Sequence, residues 1–169
     1  AALLTGPVAA PLLPRLSDAP QLLLTPETEL ENGFGFQADG TLHVAIRTEL
    51  PDVTPEMIDF WFGWHSAEPA RYKLWHPRAH VHAQWESAES PQQAQSKGRA
   101  RYVGRVSFVD EYLGSRLQQV AIGFLSPATL GFDESLLADP QQATVVAARI
   151  SFASAPLDVG YLVHHVRKI

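Results

Sequence analysis

The chain has 169 residues, 46% hydrophobic and 18% charged, with a formal net charge of −5. That is enough apolar material for one globular domain with a core, and too few charges for a disordered chain. The scattered Lys and Arg residues leave no basic footprint for nucleic acid, and with no cysteine there is neither a disulfide framework nor a thiolate metal site, so any metal must be held by His, Asp or Glu.

Residues 1–28 read as a Pro- and Leu-rich arm. Pro7, Pro11, Pro14, Pro20 and Pro26 fix φ and remove donors, so the segment is expected to be extended and mostly non-helical. Its leucines need cover, and the expectation is packing on the domain, with a homodimer through the arm as the alternative. The apolar start carries no basic n-region and is interrupted by Pro7 and Pro11, unlike a secretory signal. No apolar run approaches the roughly 20 residues of a membrane-crossing helix. A cytoplasmic protein without membrane contact is expected, with a start that looks trimmed because no initiator Met is present.

Residues 29–169 read as the domain proper. Gly33-Phe34-Gly35-Phe36 leads to a turn at Asp39-Gly40, and Thr41–Leu50 alternates as a strand. Thr54-Pro55-Glu56 is a helix start: an N-cap, a proline suited to the first helical position, and an acid at the positive end. Met57, Ile58, Trp61, Phe62 and Trp64 make the apolar stripe, and the helix is expected to end near Ser66–Pro69 because residues before proline leave the α region.

From there the pattern turns to strands. His80–Trp85 alternates, with His80, His82 and Gln84 on one face. Ser87–Gly98 reads as a loop, and Ala100–Val109, Leu117–Leu125, Ala143–Phe152 and Gly160–Val166 as strands. Ser126–Gln142 links two of them, with a short helix at Glu134–Ala138. Consecutive strands without long intervening helices predict an α+β fold with an antiparallel sheet. A sheet ending on Gly160–Val166 needs further cover for its apolar face, so the chain is expected to continue past Ile169.

Four of the seven histidines, His65, His76, His80 and His82, crowd one region, and His164 and His165 sit near the end. Such a cluster raises metal binding as a reading, beside the plainer one of polar histidines satisfied in an aromatic-rich sheet. His76 and His80 have ligand spacing only on a helix, which Pro77 disfavours. Asp110-Glu111 follows a strand. Such a pair is usually a solvated turn, and the alternative is that Glu111 points inward as a ligand or base. No Gly-x-Ser-x-Gly elbow, phosphate loop or His-Glu-x-x-His motif is present.

Val53-Thr54-Pro55-Glu56-Met57, Trp61-Phe62-Gly63-Trp64-His65 and Arg71-Tyr72-Lys73-Leu74-Trp75-His76-Pro77-Arg78-Ala79-His80 together resemble the diacetylphloroglucinol and phloretin hydrolases. Ala121–Pro127, Gly131-Phe132-Asp133 and Val163–Arg167 are similar too. The resemblance, over roughly residues 40–169, implies a helix-grip fold of the Bet v 1 or START type, a curved antiparallel sheet enclosing a cavity. It implies a Zn2+ site of two histidines and two glutamates and hydrolysis of the bond between an acyl carbonyl and a phloroglucinol ring. The substrate it implies is a small aromatic, polyketide-like molecule.

By the same resemblance, His80 and Glu111 match metal ligands; strand alternation, which puts His82 on the same face, makes it the rival to His80. Tyr72 and His164 match catalytic pocket residues, with His165 as the rival to His164. The remaining metal ligands are expected beyond Ile169, and Ala83 stands near the position of a pocket asparagine. The competing class is a non-catalytic helix-grip module that binds a hydrophobic aromatic ligand.

Overall fold

A computed structural model describes residues 6–25 and 30–169; residues 1–5 and 26–28 of the expected arm lie outside them. The fold is α+β. Two strands, β1 (Asn32–Phe36) and β2 (Leu42–Ile46), form a separate antiparallel hairpin. After it come α1 (Pro55–His65), α2 (Pro69–Trp75), β3 (His80–Trp85), α3 (Pro91–Gln95), β4 (Val106–Leu113), β5 (Arg116–Leu125), β6 (Ala143–Phe152) and β7 (Ala155–Arg167). Strands β3 to β7 pair in chain order as a five-stranded antiparallel meander.

Register decides which residues share a face. Ala83, Val109 and Val120 are cross-strand neighbours, as are Trp85, Ser107 and Ile122. Phe124, Ala148 and Leu162 line up across β5, β6 and β7, and Val146 lies opposite His164. On this inner face Phe62 of α1 packs with Tyr102, Phe124, Val146 and Ala148. The opposite face carries Val145 and Ala147, buried under Phe132 and Leu137 from the β5–β6 connection and flanked by Ala19 and Leu23 of the arm.

Helix α1 begins as its residues dictate: the Met57 backbone N–H donates to Thr54 Oγ1 at 3.2 Å and Pro55 takes the first turn. Its buried stripe, however, is Pro55, Asp59, Phe62, Gly63 and His65. Met57, expected in the core, is 52% exposed because it lies about 200° around the helix from Asp59. Asp59 is only 2% exposed, held by Tyr102 Oη–H at 2.6 Å and by Thr144 Oγ1 at 2.9 Å.

Several elements also differ from the sequence expectations. The arm is not extended throughout: Ala10–Leu12 and Leu16–Leu23 are 3-10 helical, with Pro20 inside the second, a tight winding whose φ proline accepts. Strand β2 stops at Ile46, where β1 runs out of partners at Asn32. Pro69 does not merely end α1; it opens α2, since proline also suits a first helical position. The expected loop after Ser87 contains α3. The strand expected from Ala100 starts only at Val106, after a 3-10 turn at Gly98–Arg101 and Gly104 at φ 81°. Asp110 and Glu111 therefore lie inside β4, not in a turn beyond it.

Candidate active site

The inner face of the sheet and the two helices laid over it enclose a pocket of roughly 270 Å³, lined by Phe62, His65, Tyr72, Trp75, His80, Glu111, Phe124 and His164 among others. A depression of about 310 Å³ on the outer face has Phe108, Ala121, Phe152 and Arg149 in its walls and no histidine. The grouping of titratable side chains makes the inner pocket the candidate site.

Its centre is built by α2 and the β3–β4 pair. The Tyr72 ring lies flat on the His80 ring, centroids 3.8 Å apart and planes 3° apart. His80 Nδ1 sits 3.0 Å from the Tyr72 carbonyl; a carbonyl only accepts, so Nδ1 carries a hydrogen and Nε2 is the nitrogen left to offer a lone pair. That nitrogen is 3.9 Å from Glu111 Oε2. Tyr72 Oη–H donates to the same oxygen at 2.9 Å. Glu111 is opposite His80 in the ladder, so one residue pair of β3 and β4 holds both groups at the pocket wall.

The rival histidines separate from this centre for a structural reason. Glu111 pairs with His80 but Asp110 pairs with His82, so Val81 is an extra residue in a β-bulge. The bulge reverses the alternation. His80 shares the inner face with Ala83 and Trp85, while His82 and Gln84 turn to the other side with Asp110 and Phe108. The expectation that His80 and His82 share a face is thus corrected.

Likewise His164 lines the pocket, its ring 5.4 Å from Phe62, whereas His165 is opposite Val145 on the outer face. His76 also borders the pocket, but its Nδ1 accepts the Ala79 backbone N–H at 3.1 Å in the turn that leads into β3. Ala83 is buried with Tyr72, Val109 and Val120 and offers no side-chain amide.

Burial sets the protonation of the pocket. It pushes the Tyr72 phenol far up, helped by the adjacent Glu111 carboxylate, so Tyr72 stays a hydrogen-bond donor. It pulls His164 down and His65 down to about 4, which keeps both rings uncharged at neutral pH. His65, singled out in the sequence only as one of a crowd, is a pocket residue whose signal was its place one turn after Phe62 on the helix stripe. Trp75, also in the wall, stands edge-on to Phe62 and His65.

His80 and Glu111 suit a shared cation. Ligand atoms bonded at about 2.0–2.2 Å lie roughly 3.4 Å apart at a tetrahedral angle, and the observed 3.9 Å needs only a small closing movement. The Tyr72 carbonyl on Nδ1 is the kind of outer contact that orients a ligating histidine. Among the described residues no group of three or more His, Asp or Glu gathers to hold an ion.

Residues 12–169 match the model of the DAPG hydrolase PhiG domain family. The chain is 30% identical to a 2,4-diacetylphloroglucinol hydrolase from a Pseudomonas species over 97% of its own length and 57% of the relative's. The 2,4-diacetylphloroglucinol hydrolase of Pseudomonas protegens gives 30% identity, with 97% of this chain and 54% of the relative covered. The phloretin hydrolase of Eubacterium ramulus gives 32%, with 85% and 53% covered. The chain thus spans about half the length of the curated relatives it matches.

Proposed function

The chain belongs to the DAPG hydrolase family, and from that premise we propose that it carries the substrate pocket of a zinc-dependent hydrolase that cleaves the C–C bond between an acyl group and a phloroglucinol-type ring. We read the five-stranded meander with α1 and α2 over its inner face as the sheet of a helix-grip domain spanning residues 29–169, with residues 1–28 as its arm. The observation that carries the function is the meeting of Tyr72, His80 and Glu111 in one aromatic-walled pocket.

The chemistry needs a ring carbon that can leave with an electron pair. A polyphenol provides one by shifting to a keto tautomer, which turns the acylated ring into a β-diketone. Water then adds its hydroxyl to the acyl carbon, the C–C bond breaks, and the ring carbon takes a proton, giving a carboxylic acid and the deacylated ring. His80 Nε2 and the Glu111 carboxylate would hold the ion with further protein ligands. When bound, zinc supplies Lewis-acid polarisation and makes hydroxide available near neutral pH.

The remaining roles belong to the chain itself. Tyr72 keeps its proton, so its Oη–H can turn from Glu111 to a ring oxygen and stabilise the charge that develops there as the ring leaves. His164, uncharged, sits across the pocket as a second hydrogen-bonding group for the ring oxygens. Phe62, Trp75 and Phe124 keep water away and strengthen both interactions.

Replacing His80 with Ala in the full-length protein tests the reading. Both bound zinc and hydrolysis of an acylphloroglucinol should be lost, measured by metal analysis and by release of the carboxylic acid. Turnover retained without metal would sink the mechanism. A metal-free wild type that binds aromatic ligands without hydrolysing them would instead favour a non-catalytic binding module.

A further inference from the structure

His65 occupies the last turn of α1 and is 4% exposed. Its ring is packed between Phe62 and Trp75, each with centroids 5.2 Å away, and Tyr72 at 5.7 Å. Its hydrogen bonding is unequal at the two nitrogens. Nδ1 is 3.4 Å from Ser66 Oγ, and the single proton of that hydroxyl goes to the Phe62 carbonyl at 3.1 Å. What Ser66 offers His65 is therefore a lone pair, so Nδ1 bears the hydrogen and Nε2 is a bare acceptor. Nε2 is buried and has no hydrogen-bond partner. A buried acceptor left alone is uncommon and calls for a reason.

The other polar groups of the pocket supply one. Without ligand the Tyr72 proton goes to Glu111, and the His80 Nδ1 proton goes to the Tyr72 carbonyl. With His80 Nε2 and the Glu111 carboxylate given to the ion in the reading above, His65 Nε2 is a lone pair left among aromatic rings with no donor from the chain. Such a lone pair complements an aromatic ring that carries a hydroxyl donor. Trp75 stands at 70° to the His65 ring and is 44% exposed, so it is the wall with room to yield as a ring enters beside His65.

We infer that His65 is a substrate-binding residue whose Nε2 accepts a hydrogen bond from one ring hydroxyl of a polyhydroxylated aromatic ligand, and so selects for hydroxyl number and position. This assignment rests on the acylphenol reading above and names a further contact within it.

The test uses the metal-loaded full-length protein and titrates its tryptophan fluorescence with an acylated trihydroxybenzene and with analogues lacking one ring hydroxyl in turn. His65→Phe keeps a ring but removes the lone pair. It should weaken binding of the trihydroxy ligand roughly tenfold, as one buried hydrogen bond would, and should leave unchanged the affinity for the one analogue that lacks the contacting hydroxyl. His65→Gln, which carries an amide oxygen at similar reach, should recover part of the loss, and zinc content should stay at the wild-type level in both.

An independent readout needs no variant. The ¹⁵N signal of His65 Nε2 in the unmutated protein should move from the position of a free lone pair to that of a hydrogen-bonded one when the ligand binds. An unmoved signal, or an equal loss of affinity across all analogues, overturns the inference and makes His65 a packing residue only. A wild type that binds none of these ligands defeats the underlying acylphenol reading instead.

Discussion

At the scale of single residues, the pocket depends on histidines whose protons are fixed by neighbours. His80 is held twice by Tyr72, through a stacked ring and through its backbone carbonyl, so changing the Tyr72 side chain removes the first hold and leaves the second. His65 gives the clearest dependence on pH. Its pKa is lowered from 6.5 to about 4, first by burial and then by the nearby His80. A lowered folded-state value means that the unfolded chain binds more protons between about pH 4 and 6.5, so stability rises with pH across that window and is lost as pH falls through it. His164, lowered by burial, acts in the same sense. Asp59, raised mainly by burial, opposes both because its folded state gains protons more readily. The difference between wild type and His65→Gln isolates the histidine. Urea unfolding at a series of pH values should show a steeper acid loss in wild type, with a total difference of roughly 3 kcal/mol for a shift of this size. Parallel curves would mean that His65 is protonated in the folded state without penalty.

At the scale of elements, α1 is located by one buried carboxylate. Asp59 accepts from Tyr102 in the turn before β4 and from Thr144 at the start of β6, and the same helix brings Phe62 and His65 to the pocket. Asp59→Ala strands two buried hydroxyls, at roughly 1–3 kcal/mol each, partly offset by the desolvation that the carboxylate no longer suffers. A net loss of about 2 kcal/mol in chemical denaturation is expected, together with a weaker grip on aromatic ligands. Unchanged stability would show that the burial penalty cancels the network. The start of α1 was legible in Thr54-Pro55 because a cap is a local signal, and β5 and β6 were legible because short runs rich in apolar and β-branched residues bounded by turn residues are local too. The bulge at Val81 was not, since one inserted residue leaves the His-x-His pattern looking like a flat strand. Local spacing likewise left Glu111 undecided between turn and pocket. Only its pairing with His80, across 31 positions of chain, puts it at the wall, and such a partnership is not written in the residues beside it. Asp59 escaped notice because an acid on a helix usually marks the solvent side.

At the scale of the whole molecule, the arm ties the hairpin to the sheet. Val8 N–H donates to the Phe34 carbonyl at 2.8 Å and Gln37 Nε2 to the Pro14 carbonyl at 2.8 Å, while Ala19 and Leu23 reach the outer-face cluster. Leu13 is the buried anchor between these contacts. A Cβ built on Gly35 of β1 would meet the Leu13 side chain at 2.9 Å and the Val8 carbonyl at 2.6 Å, so the arm and hairpin approach as closely as a glycine permits. These contacts lie within one chain, which predicts how their loss should behave. Leu13→Ala removes a buried side chain and should cost roughly 2–4 kcal/mol, less if the arm settles into the gap. An effect inside one chain changes the unfolding midpoint by the same amount at every protein concentration, whereas an arm exchanged between two copies makes that midpoint rise with concentration. Thermal unfolding of wild type and variant over a hundredfold range of concentration separates the two. A constant difference keeps the arm on its own domain; one that appears only at high concentration transfers Leu13 to a subunit interface.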